Sequence, residues 1–107
     1  MTAVDQVIDG GVVIAKLGVA ESTDSIVLLD PKRRPAQVLG WHPFPNVLRV
    51  TSAGDVIWRS ALVPRETAAK CWLDVDWVDG RLRARTYSYD CELDPDTGQI
   101  VQSTFTK

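Results

Sequence analysis

The stretch CWLDVDWVDGRLRART, residues 71–86, decides the fold. Asp79-Gly80 at its centre is a favoured two-residue hairpin turn, because both turn positions call for positive φ. On each side, apolar and charged residues alternate with the period of a half-buried strand. Counting outward from the turn, Asp76 faces Arg83 and Asp74 faces Arg85, while Trp77 faces Leu82 and Val75 faces Ala84. One face is therefore expected to be an ion-pair ladder and the other core, each cross-strand pair contributing roughly 0.2–1 kcal/mol. Asp74 and Asp76 sit about 7 Å apart on one face, a spacing that hydrolytic carboxylate pairs also use. Carboxylates beside arginines stay ionised, which suits a ladder rather than a general acid. Carried one step further, the register sets Trp72 opposite Tyr87 on the ladder face. They are expected to form a small aromatic patch or a packing surface for another strand.

The same grammar runs through the rest of the chain. Residues 3–19 read as a hairpin around Asp9-Gly10, and SIVLLD (25–30) as a short strand apolar on both faces. NVLRVTSAGDVIWRSAL (46–62) reads as a second hairpin turning at residues 52–55, and residues 87–106 as a last one. VPRETAAK (63–70) is the one helix candidate, with Pro64 suited to a first turn. The expectation is all-β: an antiparallel meander of hairpins forming a twisted sheet or a two-sheet sandwich, with at most one short helix. The expected core is Val12, Ile14, Val27, Leu29, Val50, Ile57, Leu73, Val75, Trp77, Leu82, Ala84 and Leu93.

With 107 residues the default is one domain, 1–107. Hydrophobic residues make up 45% and charged residues 24%, which is globular rather than disordered. A net charge of −2 gives no electrostatic reason to expect nucleic acid or an acidic membrane. The N-terminus lacks a basic start and a long apolar run, so no secretory signal is expected, and no segment approaches the ~20 apolar residues of a membrane helix. Cytoplasmic location is the default. Cys71 and Cys91 read as buried thiols; a disulfide requires that the strands bring them together, and a reducing cytosol argues against it. One histidine and no cysteine pair are too few for a tetrahedral zinc site, so no metal is expected. Gly10-Gly11 lacks the helix and Lys of a phosphate loop, and no cofactor is expected.

Two loops carry candidate recognition groups. LGWHPFPN (39–46) concentrates Trp41, His42 and Phe44 between prolines that stiffen the chain. Rigid aromatics of this kind serve as recognition surfaces or as plugs over a sheet end. His42 is the sole candidate general base, with no serine or cysteine visibly tied to it. PKRRP (31–35) is a basic run that reads as a solvated loop, or as a contact for phosphate or an acidic partner.

CELDPDTGQIV (91–101) raises sharper chemistry. A strand followed by Asp94-x-Asp96-x-Thr97 resembles the first motif of haloacid-dehalogenase-type phosphatases, and Asp-x-Asp before Gly resembles the start of a calcium loop. Only ten residues follow Thr97, with Lys107 the only lysine among them. The partner groups of the phosphatase are thus missing. A calcium loop lacks its third ligand and its closing Glu. The turn reading uses every residue: Asp94 bonds backbone N–H groups, Pro95 presets φ, and Gly98 takes the left-handed conformation.

AGDVIW (53–58) and LDPDTGQIV (93–101), with Gly54 and Gly98 44 residues apart, form a faint repeat. They resemble blade repeats of pyrroloquinoline-quinone-type propellers, with Trp58 matching and Gln102 standing where a second Trp belongs. The layout also resembles small uncharacterised bacterial single-domain β proteins, some of them thought to be immunity or accessory proteins. That resemblance implies no cofactor and no catalytic residues. The expected function is a non-enzymatic protein-interaction module, with Trp41, His42, Phe44, Trp72 and Tyr87 as partner-binding residues and another protein or a second copy as partner. The alternatives are a self-associating structural β domain and, behind it, a small hydrolase using His42.

Overall fold

Short alternating runs separated by residues that accept positive φ leave the chain few options besides antiparallel hairpins. The computed structural model describes residues 6–35, 38, 43–63 and 71–106. Nine strands form two sheets, and among the described residues there is no helix. The first sheet runs β1 (Val7–Ile8), β2 (Gly11–Gly18), β3 (Ser25–Leu29), β4 (Val47–Val50) and β5 (Val56–Arg59), each strand beside its neighbour in sequence. The second is a four-stranded meander of β6 (Asp74–Val78), β7 (Arg81–Arg85), β8 (Tyr89–Leu93) and β9 (Ile100–Phe105). Every ladder is antiparallel. The helix expected at residues 63–70 falls, save Val63, outside the described residues.

Asp79 and Gly80 have φ of 52° and 75°, as a tight primed turn demands. The β6–β7 register follows from that turn: Asp76↔Arg83, Asp74↔Arg85, Trp77↔Leu82 and Val75↔Ala84.

Alternation along β3 partitions the core. Ile26 and Leu28 join Val47 and Trp58 in meeting Trp72, Val75, Leu82 and Leu93 of the second sheet. Val27 and Leu29 point the other way, into a second cluster with Ile8, Leu48, Val50, Phe44 and Cys71. The centre of the first sheet is thus buried on both faces, which explains why β3 is apolar beyond Ser25. Cys91 lies in the first cluster and Cys71 in the second, and both remain thiols.

Asn46 fastens the two sheets. Fully buried, it donates from Nδ2 to the carbonyls of Leu29 and Trp72, each at 2.8 Å, and accepts the Trp72 N–H at Oδ1 at 2.6 Å. The Trp72 indole N–H donates to the Ser60 carbonyl at 3.1 Å, so the same side chain is held at both ends.

Three expected core residues are exposed: Ile14 at 49%, Ile57 at 47% and Leu73 at 41%. One cause covers them. The β2–β3 pairing steps from Val13 to Ala15, and the β4–β5 pairing from Val56 to Trp58, so Ile14 and Ile57 are the extra residues of bulges. At the entry to β6, Leu73 and Asp74 are both exposed in succession, and the Leu73 N–H bonds the carbonyl of Arg85, the partner of Asp74. A bulge turns one side chain out of phase with the alternation, so a pattern read straight across it assigns the wrong face.

The inversion at Leu73 also corrects the placement of Trp72. The straight register put it on the ladder face opposite Tyr87; instead it is wholly buried between the sheets, while Tyr87 is 52% exposed.

Candidate interaction surface

The aromatic loop acts as a plug where it is described. Phe44 is buried in the second cluster, bridged in parallel to Cys71, with the Arg34 guanidinium carbon 5.5 Å from its ring centroid. Trp41 and His42 lie outside the described residues. The basic run folds back on a carboxylate: Asp30 accepts the Lys32 N–H at 2.9 Å and the Arg33 Nε–H at 2.8 Å. The Arg33 hydrogen bond, then that of the Lys32 amide, lowers the Asp30 pKa below its ordinary value.

The DPDTG segment is a turn docked on the first sheet. Asp96 N–H donates to Asp94 Oδ1 at 2.8 Å and Gly98 N–H to the Asp94 carbonyl at 2.7 Å. The Pro95 carbonyl accepts from Arg49 at 2.8 Å and from the Trp58 indole at 2.9 Å. Arg49 also pairs with Asp24 at 2.9 Å. Gly98 has φ of 76°, and a Cβ there would sit 2.6 Å from Trp58 Cδ2. The Asp94 carboxylate is therefore occupied in positioning the turn, while the exposed Asp96 carboxylate lies 3.5 Å from Arg49.

The outer face of the second sheet is striped by charge. Asp74 and Asp76 on β6 flank Arg81, Arg83 and Arg85 on β7, and Asp90 and Glu92 follow on β8. Arg85 pairs with Asp74 at 3.7 Å, Arg83 with Asp90 at 3.2 Å and Arg81 with Glu92 at 3.5 Å. All of these groups except Glu92 line an open depression of about 600 Å³. The ladder thus extends one strand further than the hairpin alone discloses. Among the described residues no three His, Cys, Asp or Glu side chains converge as metal ligands, and no helix is long and apolar enough to cross a membrane.

The two edges of this sheet differ. On β6 the outward N–H groups of Val75 and Trp77 are capped by the preceding side chains, Asp74 Oδ1 at 3.0 Å and Asp76 Oδ1 at 2.8 Å. The Trp77 indole donates to the Gly18 carbonyl at 2.8 Å. That edge is closed to another strand. Among the described residues, the β9 edge carries no charged or proline guard, and its one irregularity is the bulge at its start. Its sequence, IVQSTF, has no charge and no proline, and every residue beyond Ile100 is exposed.

The bond from Thr106 N–H to the Ser88 carbonyl, with that from Thr86 N–H to the Tyr89 carbonyl, fixes the phase of the ladder. Asp90↔Thr104 and Glu92↔Gln102 are the hydrogen-bonded pairs, so Ser103 and Phe105 turn their backbone N–H and C=O groups away from β8. Val101 is the extra residue of a bulge on the same edge. Phe105 stands edge-on to Tyr89 with ring centroids 5.5 Å apart. At the start of β9, Ala61, Leu62, Gly98 and Ile100 line a pocket of about 290 Å³.

A family model described as a domain of unknown function (DUF7957) matches residues 6–105. The chain belongs to the DUF7957 family. No curated protein and no solved structure matches it. The match to DUF7957 spans all nine strands, from β1 to the last residue of β9. Of the five partner-binding residues expected from sequence, three are described and these do not form a patch: Phe44 and Trp72 are buried in separate clusters and Tyr87 stands exposed. The β9 edge was missed because openness belongs to sheet order, although IVQSTF itself carried the signal of an uncharged β-forming run.

Proposed function

We propose that this DUF7957 chain is a non-enzymatic protein-interaction module that engages its partner by strand addition along β9. The observation that carries the reading is the contrast between the two edges of one sheet. Folded proteins guard exposed edges with charge, proline or irregularity, and β6 carries such guards, while β9 beyond the bulge at Val101 presents outward backbone groups and uncharged side chains. Main-chain bonding gives strand addition its affinity and side-chain pockets give it selectivity. The pocket beside Gly98 and Ile100 supplies the second element. The pairing of Asp74 and Asp90 with arginines, and the use of the Asp94 carboxylate in a turn, support a binding role over a hydrolytic one. An immunity or accessory role in a bacterial cytoplasm is the setting in which we place it.

Ser103→Pro tests the reading. It removes an N–H that faces away from β8, which an edge strand tolerates, and blocks an added strand. A partner retained by the wild-type chain and lost by Ser103→Pro is the expected result. Equal retention by both, or turnover in a phosphatase and esterase screen that His42→Ala abolishes, refutes it.

A further inference from the structure

We infer that the occupant of the β9 edge is β9 of a second copy, paired antiparallel across a two-fold axis at Ser103. The inference rests on the edge reading above and names its partner.

The register follows from which backbone groups are available. Ser103 and Phe105 face outward, and Val101, two residues before Ser103, is the extra residue of the β8–β9 bulge, so the regular outward phase runs from Ser103 to Phe105. Placing Ser103 opposite Ser103 of the second copy brings Phe105 opposite Val101 of that copy, and the reverse. The outward N–H and C=O of Ser103 then meet their complements across the axis, as a hydrogen-bonded pair of an antiparallel ladder requires. A C₂ contact has to be self-complementary, and this strand satisfies that with no charge to be buried or opposed.

Side chains fit the same register. Phe105 pairs with Tyr89, and Ile100 with Leu93, on the face of β8 that carries Cys91 and Leu93 into the core. Opposed residues of antiparallel strands share a face. Phe105 of one copy, 61% exposed in the single chain, therefore falls beside Val101 and Ile100 of the other. The pocket bounded by Leu62, Gly98 and Ile100 opens at that end of the strand. Each copy thus offers a protruding aromatic at one end of β9 and, at the other, a pocket whose apolar wall of Ala61, Leu62 and Ile100 is rimmed by Arg59, Thr97 and Gln99.

Electrostatics do not oppose the pairing. The nearest acidic rows, Asp90 and Glu92 of each copy, are separated by three strand spacings, about 14 Å, beyond the ~8 Å screening length at physiological salt. On the outer face the strand itself presents Gln102 and Thr104, which are neutral.

Sedimentation over a hundredfold concentration range, with amide hydrogen exchange on the same samples, tests the inference. The expected result is a monomer–dimer equilibrium in which Ser103 and Phe105 amides gain protection as the dimer forms. Gln102 and Thr104, already bonded to β8, stay protected throughout. Ser103→Asp and Ser103→Lys, each opposing like charges across the axis, are expected to be monomeric alone and to dimerise when mixed. If either variant fails to fold, the exchange pattern of the wild-type chain decides.

A wild-type chain that stays monomeric overturns the second-copy inference. So does a dimer in which Ser103 and Phe105 amides exchange as fast as in the monomer. The edge reading fails separately, when a partner is retained equally by the wild-type chain and by Ser103→Pro.

Discussion

Replacing Asn46 by alanine removes the side chain that spans the two sheets. Three buried backbone groups lose their partner: the Leu29 carbonyl, the Trp72 carbonyl and the Trp72 N–H. Each buried group left unsatisfied costs about 1–3 kcal/mol. Relaxation recovers part of the sum, so the expected loss is about 3 kcal/mol or more, out of the roughly 5–15 kcal/mol that holds a domain together. In a urea titration with a slope of about 1–1.5 kcal/mol/M, the midpoint falls by about 2–3 M. Asn46→Asp sharpens the test by keeping the shape. It preserves an acceptor for Trp72 but sets a carboxylate against two carbonyl oxygens. Burial and those oxygens raise the folded-state pKa above the unfolded value of about 3.9. The neutral form is then favoured by folding. Relative to wild type at each pH, the deficit is small below the unfolded pKa and grows as pH rises through the folded one. A loss under about 1 kcal/mol for Asn46→Ala, or a pH-independent deficit for Asn46→Asp, refutes the role assigned to this side chain.

Gly98→Val combines a positive-φ penalty with a Cβ set against the Trp58 ring; the expected cost is about 2 kcal/mol or more, and unchanged stability in urea refutes it. Arg85→Ala, by contrast, breaks an exposed pair with Asp74 at 3.7 Å; the expected change is below about 1 kcal/mol, and a larger thermal shift shows that the ladder carries more than its geometry implies. Asp30 is expected to titrate below the ordinary carboxylate value of 3.8. Its contribution is present above the unfolded pKa and lost as pH falls through the folded one. Arg33→Ala moves the carboxyl NMR midpoint back up, and an unmoved midpoint rules out the Arg33 hydrogen bond as the main cause.

The hairpins were legible because their signals are local. Asp79-Gly80 and the alternation beside it dictate the β6–β7 register with no knowledge of the rest. What sequence did not disclose is non-local or out of phase. Ile14, Ile57 and Leu73 look like core residues until a bulge turns them outward, and no residue type marks those bulges. Trp72 changes faces for the same reason. Asn46 reads as an ordinary turn residue after proline. Its three bonds appear only when β3 and residue 72 converge on it, 17 and 26 positions away. Division of the meander into two sheets, and hence the open edge at β9, rests on contacts of that kind.

The docking of the Pro95 turn onto Arg49 and Trp58 has a kinetic side. Every ladder joins strands adjacent in sequence, and all but β3–β4, whose strands are separated by residues 30–46, close over a short loop at small entropic cost. Long-range closure is concentrated at a few points, and the bonds from Arg49 and Trp58 to Pro95 span 46 and 37 residues. Hairpins can form early and independently, whereas these bonds can form only once both sheets exist. Weakening them at Arg49 should therefore accelerate unfolding while leaving the folding rate nearly unchanged. By this route the last hairpin acts as the latch that sets the lifetime of the folded chain.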